Sequence, residues 1–202
     1  MIAPAEGPAA VLRRTWGRAG RTPGAAWVAA VLLALVGGRA AAAPVVTVES
    51  RSGTFEVRGE FTTAAPVDTA WAVLTDYRHI ASFVNSIKRS EVLKNDADSL
   101  LVRQTAVVGV MPFHFTARVT LSVTEEPKHQ IDFIDVLSED FYRYAGTWAL
   151  RGDSVATVVH YSLLAIPRSN VPAWIGRSMM SHSVEDLLLQ VHREIDRRAA
   201  KR

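Results

Sequence analysis

The sequence predicts an α+β protein: a curved antiparallel sheet wrapped around one long C-terminal helix, with two short helices after the first strand. Three observations predict it. Val171 to Arg198 carries a helical apolar stripe, in which Met180, Val184, Leu187, Leu188, Val191 and Ile195 recur at about 100° per residue. Much of the chain before it alternates apolar and polar residues in runs of strand length, joined by gaps short enough for hairpins. The terminal helix, about 40 Å long at about 1.5 Å per residue, is the one element long enough to cover the apolar face of such a meander.

The chain has 202 residues, enough for a single domain, and a hydrophobic fraction of 49% supports a sizeable core. Arg13, Arg14, Arg18 and Arg21 precede an apolar run from Ala25 to Val36, and Ala40 to Ala43 follow it. That order of cations, apolar run and small residues is an export-signal pattern. Residues 1–42 are read as a signal peptide cut after Ala42, residues 43–202 as the folded domain, and the periplasm is the expected compartment. Without the signal, 18 Lys and Arg face 19 Asp and Glu. The near-neutral balance removes the electrostatic case for a nucleic-acid partner. The absence of cysteine excludes disulfides, thiolate metal sites and a cysteine nucleophile.

Val45 to Thr63 reads as one half-buried strand, with Phe55, Val57, Gly59 and Phe61 on the inner face. Ala65-Pro66-Val67-Asp68 opens a short helix through Trp71 and Leu74. Thr75 or Asp76 is placed to cap a second, whose apolar face is Ile80, Phe83, Val84 and Ile87. Further strands are expected over Ser90–Lys94, Leu100–Val108, Phe113–Thr124, Ile131–Val136, Phe141–Leu150 and Ala156–Ile166. Asn95 to Ser99 has turn composition; its Asp-x-Asp spacing lacks the Gly and distal Glu of a calcium loop, so no metal is expected. The last helix takes Asn170 as N-cap and Pro172 among its first residues.

The inner stripe of that helix loses bulk toward its start, where it continues through Ala173 and Gly176. A cavity is expected there, between the thin end of the helix and the sheet. Its expected lining is Phe83, Ile87, Phe113, Phe115, Phe133 and Tyr161, with Tyr144 and Trp148 as polar handles and Ala173, Gly176, Met180 and Val184 from the helix. Tyr142 shares the strand phase of Tyr144 and Trp148. Arg103 and Arg118 are the charges to inspect for an acidic head group, although solvent-exposed strand positions are the favoured explanation of both.

Ala65 to Tyr77, the Phe83-Val84 and Ile87 that follow, Phe141 to Trp148 and the closing helix together resemble the START-like (SRPBCC) superfamily. Within it the chain is most similar to the polyketide cyclase/dehydrase or coenzyme Q-binding branch. The resemblance covers about residues 50 to 198. It implies a helix-grip fold with a deep hydrophobic cavity for a lipid, isoprenoid quinone, sterol or polyketide, in relatives that include both carriers and enzymes.

Catalytic chemistry finds little support in the residues. His114 and His160 fall opposite the apolar phase of their strands, and His182 and His192 fall off the inner helical stripe, so all four are expected to be exposed. No metal-binding histidine motif or phosphate-cradling glycine loop is present. Asp132 and Asp135, three apart on one strand, point to opposite faces. The expectation is therefore a carrier without cofactor or metal, whose partner is a hydrophobic small molecule or lipid. A cyclase or dehydrase using the same cavity and an envelope protein-interaction module are the alternatives. The basic tail Arg193, Arg197, Arg198, Lys201 and Arg202 offsets the helix dipole, and it could also give transient contact with an anionic membrane surface.

Overall fold

The computed structural model describes residues 43–96, 99–110, 113–169 and 172–201. The described residues form one compact unit. The proposed signal peptide, the Asn170 cap and part of the Asn95–Ser99 turn lie outside the described residues.

Eight strands form one antiparallel sheet: β1 (Val45–Arg51), β2 (Thr54–Thr63), β3 (Ile87–Asp96), β4 (Ser99–Val110), β5 (Phe113–Glu126), β6 (Gln130–Asp135), β7 (Phe141–Gly152) and β8 (Thr157–Pro167). Their order across the sheet is β1-β2-β8-β7-β6-β5-β4-β3. Helix α1 (Val67–Leu74) and a 3-10 turn (Ile80–Ser82) link β2 to β3, and α2 (Ala173–Ala199) closes the chain. This is the helix-grip arrangement.

The segment read as a first long strand is a hairpin. Ser52 and Gly53 have φ of 47° and 80°, and positive φ at both central residues is what a tight type I′ turn requires. The turn reverses the inward phase, from Val46 and Val48 on β1 to Phe55 and Val57 on β2, because the residues paired across a two-residue loop, Arg51 and Thr54, are three apart and share a face. The pair Ser52-Gly53 was the available signal. Thr75 and Asp76 do not cap the 3-10 turn either. Thr75 follows α1 and its hydroxyl donates to the Trp71 carbonyl at 2.9 Å, while the residue preceding the turn is His79. At α2 the N-cap position is Pro172, one residue outside the helix rather than within its first turn, and no side chain caps it.

Helix α2 packs against β1, β2, β4 and α1. Its C-terminal half is held by shape. Leu188, Val191 and Ile195 are at most 1% exposed, and a Cβ at Gly59 would collide with Leu188 Cδ1, so the missing side chain on β2 is what seats the helix. Each such buried aliphatic contributes about 1.5–3 kcal/mol relative to exposure. One expectation about this helix is overturned. His192 is only 3% exposed and stacks on Phe61 with ring centroids 4.7 Å apart. It lies off the aliphatic stripe, yet Phe61 belongs to β2, so the sheet buries a wider arc of α2 than that stripe predicts.

Polar groups pin the ends. Thr63 Oγ1 donates to Asp196 at 2.6 Å, and Thr157 Oγ1 donates to the Ala65 carbonyl at 2.8 Å. Asp135 is buried and accepts from the backbone N–H groups of Thr120, Leu137 and Ser138 at 2.9, 3.3 and 3.1 Å. It shapes the β6–β7 loop. Asp132 accepts from Thr147 and Gln130 on the opposite face, at 2.6 and 2.7 Å.

Candidate functional site

A cavity of about 500 Å³ lies between the N-terminal half of α2 and the concave face of the sheet. Its floor is aromatic. On β7 the inward residues are Tyr144, Gly146 and Trp148, and Gly146 is paired with Phe133 of β6. A Cβ at Gly146 would meet the end of the Phe133 ring, so the glycine lets that ring lie across β7 toward its neighbours. The result is a chain of rings. Phe141 and Tyr144 are 4.9 Å apart, Tyr144 and Phe133 6.0 Å, Phe133 and Tyr161 6.4 Å, and Tyr161 and Trp148 4.4 Å. These spacings lie in or near the range at which aromatic pairs attract.

The register explains why Tyr142 is not part of this floor. A bulge between Phe141 and Arg143 inserts one residue into the β7–β8 pairing, turning Phe141 inward and leaving Tyr142 63% exposed. The shared strand phase therefore holds only for Tyr144 and Trp148.

Burial pushes the Tyr144 and Tyr161 hydroxyls up from their ordinary pKa, and both side chains line the cavity. Both remain protonated at neutral pH. They are the interior polar handles, joined by Gln104 from β4. At the near wall, Leu74, Tyr77, Ile80 and Ile87 come from α1, the 3-10 turn and the start of β3. Tyr77 donates to Glu125 Oε1 at 2.6 Å, and its own hydroxyl is held protonated by burial first and by that carboxylate second.

This wall is tied to α2. Arg198 Nη2 reaches Asp76 at 2.7 Å and Arg198 Nε reaches Glu194 at 2.7 Å. The guanidinium also lies 5.7 Å from the centre of the Phe83 ring, and the Asn85 N–H donates to Gln190 at 2.6 Å. Asp76 keeps a lowered pKa because hydrogen bonds and charge from Arg198 and His79 outweigh the opposing cost of burial.

Charge inside the cavity is confined to the mouth, where Glu139, Asp140 and Arg168 line the opening with Pro167 and Ser169. Asp140 is held by Arg118 through the backbone N–H at 2.8 Å and the guanidinium at 3.1 and 3.2 Å, which keeps its carboxyl below the usual range. Arg118 is thus a structural partner of that loop. Arg103 is exposed, and its Nε approaches Thr120 Oγ1 at 3.4 Å.

Of the residues expected to line a cavity, Ile87, Phe115, Phe133, Tyr144, Trp148 and Tyr161 do so, as do Gly176, Met180 and Val184 on α2. Phe83 does not: it turns toward Arg198 on the outer side of the wall. Ala173 is exposed, because α2 begins there, beyond the edge of the sheet. The Phe113 side chain lies outside those described. Gly176 lines the cavity for a different reason from the one expected. The position a side chain would take is occupied by the ring of Phe55, which is 2% exposed, so the glycine admits a neighbour rather than leaving a void. The open space lies beyond it, under Met179, Met180 and Ser183. Met179 and Phe55 were not foreseen as lining. Phe55 had been placed on the correct face of its strand, but nothing local to either residue says that they meet.

The chain matches a family model described as polyketide cyclase / dehydrase and lipid transport over residues 63–191. No curated protein matches it. Among solved structures it is similar to a STAR-related lipid transfer protein of Xanthomonas axonopodis, with 19% identity, 77% of this chain and 95% of that one covered, and a TM-score of 0.61. It is similar to the Zhui aromatase/cyclase of a Streptomyces species, with 19% identity, coverage of 74% and 95%, and a TM-score of 0.59. A START superfamily protein of Mycobacterium smegmatis gives 14% identity, coverage of 70% and 97%, and a TM-score of 0.61. At these identities the likeness shows a shared fold.

Proposed function

The chain belongs to the polyketide cyclase/dehydrase and lipid transport family, and from that premise we propose that it is an exported carrier of a hydrophobic small molecule. The ligand class is a lipid, an isoprenoid quinone or a polyketide-like molecule. Residues 1–42 serve as the export signal and the folded domain works in the periplasm. The observation that carries this reading is the cavity of about 500 Å³, within the range of about 300–1,000 Å³ typical of small-molecule pockets, with an aromatic floor and few interior polar groups.

Binding follows from the chemistry of the walls. An apolar body loses its water against Phe133, Trp148 and Met180, at about 25 cal/mol per Å² buried. A carbonyl or hydroxyl on the ligand finds the Tyr144–Tyr161 pair and Gln104, neutral partners that fix its orientation without demanding a charge. Carriage is favoured over catalysis because no histidine is among the lining residues and the interior tyrosines stay protonated, so neither is a ready base. The two tyrosines are also what a cyclase would use to hold a polyketide carbonyl, and that reading predicts chemical change of the bound molecule.

Native mass spectrometry of residues 43–202, purified without detergent, tests the proposal. It is followed by titration with a long-chain quinone and with phospholipid. A co-purifying mass or saturable uptake of one molecule is expected. Protein that is uniformly empty and takes up neither compound refutes the carrier reading; a bound compound released with altered mass favours the enzyme.

A further inference from the structure

The mouth of the cavity is built from segments that also expose apolar side chains to solvent. Among the described residues, Phe115, Val136, Leu137, Tyr142 and Trp174 are large hydrophobics 36%, 49%, 51%, 63% and 74% exposed. They converge on one end of the molecule. Val136 and Leu137 stand in the β6–β7 loop whose Glu139 and Asp140 line the opening, and Phe115 lines it from β5. Arg168, at the end of β8, binds this end together. Its Nε donates to the Ser138 carbonyl at 2.8 Å and its guanidinium lies 4.4 Å over the Tyr142 ring. Trp174 is in the first turn of α2, five residues after Ser169 of the mouth and two before Gly176 of the lining.

Charge on this end has one sign in excess. Arg118, Arg143, Arg168 and Arg177 are exposed, against two carboxylates, Glu139 and Asp140, both of which Arg118 already matches. Arg143 and Arg177 have no carboxylate partner among the described residues. In the basic tail Arg197 pairs with Glu194, and Arg198 with Glu194 and Asp76, while Arg193 and Lys201 are exposed. Among the described residues the tail exposes no large hydrophobic side chain, which makes it the weaker candidate for membrane contact.

We infer that the mouth rim docks on the headgroup zone of an anionic bilayer, with Trp174, Leu137 and Tyr142 entering the interface and Arg143 and Arg177 meeting lipid phosphates. The inference rests on the carrier reading and names its partner. Trp and Tyr place an apolar body and a polar edge at different depths, which suits the boundary between headgroups and acyl chains. Guanidinium groups match phosphate oxygens in pairs. Docked this way, the opening faces the acyl region, and an apolar ligand enters or leaves the cavity without crossing water.

Sedimentation of residues 43–202 with vesicles decides it; this segment contains the whole sheet, both helices and every core side chain described. Binding is expected to vesicles of phosphatidylcholine with phosphatidylglycerol, and much less to phosphatidylcholine alone. The double variant Trp174→Ala/Leu137→Ser should weaken binding on the order of tenfold. Arg143→Gln and Arg177→Gln should each weaken it about fivefold, while Lys201→Gln leaves it unchanged. None of these residues lines the cavity, so uptake of the quinone from solution should be the same in every variant, and circular dichroism checks that each is folded. Binding that no rim variant reduces, binding lost in Lys201→Gln, or no binding to either vesicle overturns the inference. So does a dimer in native mass spectrometry that Trp174→Ala dissolves while vesicle binding is absent, since the rim would then be a protein contact. Vesicle binding by a protein that takes up no ligand upholds the rim and sinks the carrier.

Discussion

Gly176→Ala sets two effects of opposite sign against each other. In an ordinary helix interior the change is stabilising by about 1 kcal/mol, because alanine restricts the unfolded backbone more than glycine does. Here the new Cβ would run into the Phe55 ring, whose Cε2 atom is already 3.3 Å from that position and whose nearer atoms are closer still. Restoring carbon–carbon spacing of about 3.5–4.0 Å requires the ring or the helix to retreat by about 1 Å. Overpacking of this kind costs about 1–3 kcal/mol. Phe55 is 2% exposed and cannot swing into solvent, so the upper half of that range applies and the net loss is about 1 kcal/mol. In a domain of this size that lowers Tm by about 2–4 °C. The Phe55 ring also lines the cavity, so its retreat into the open space should reduce the quinone uptake measured above. Thermal unfolding followed by circular dichroism, combined with the Phe55→Leu single and double variants, isolates the contact. Phe55→Leu removes the obstacle, so Gly176→Ala should become neutral or stabilising in that background, a coupling of about 1–2 kcal/mol. A single variant with raised Tm and unchanged uptake would mean that helix propensity alone governs the position and that the ring is not seated there.

Two further outcomes follow from the polar anchors. Arg198→Met should cost about 2 kcal/mol and raise amide exchange selectively between Asp76 and Ile87, because it unties that wall from α2 and leaves Glu194 with Arg197 alone; uniform exchange across the sheet would contradict it. Burial lowers the pKa of His192, outweighing the opposing pull of Asp196, so the native state binds fewer protons than the unfolded chain. Stability should accordingly fall as pH drops from about 6.5 toward the lowered native value, and His192→Phe should flatten that part of a Tm-against-pH profile. The carboxylates Asp76 and Glu194, lowered by their arginines, act in the window below, losing their contribution as pH falls through the acid range.

What could be read in the chain and what could not divide along a physical line. Strand phase was legible: Phe115 and Tyr161 each stand between two polar neighbours, and both line the cavity. Two small backbone events escaped the pattern. The two-residue turn at Ser52-Gly53 and the bulge between Phe141 and Arg143 each reverse which residues face inward, and each occupies only one or two residues. Phe83 had the spacing of a second short helix, but the structure has there a 3-10 turn, Ile80–Ser82, with Ile87 opening β3, and an arginine from the far end of the chain lies against the Phe83 ring.

Local periodicity follows from the 3.6-residue and two-residue repeats of the backbone, and each is complete within a dozen residues. For that reason the sequence alone determined a meandering antiparallel sheet, read as seven strands where the structure has eight, and the long closing helix. Which side chain fills which gap depends on pairs brought together across the whole chain, and only the tertiary structure decided those. Phe55 enters the notch at Gly176, Phe61 covers His192, Arg198 secures Asp76, and the empty volume is what remains once these long-range contacts are satisfied.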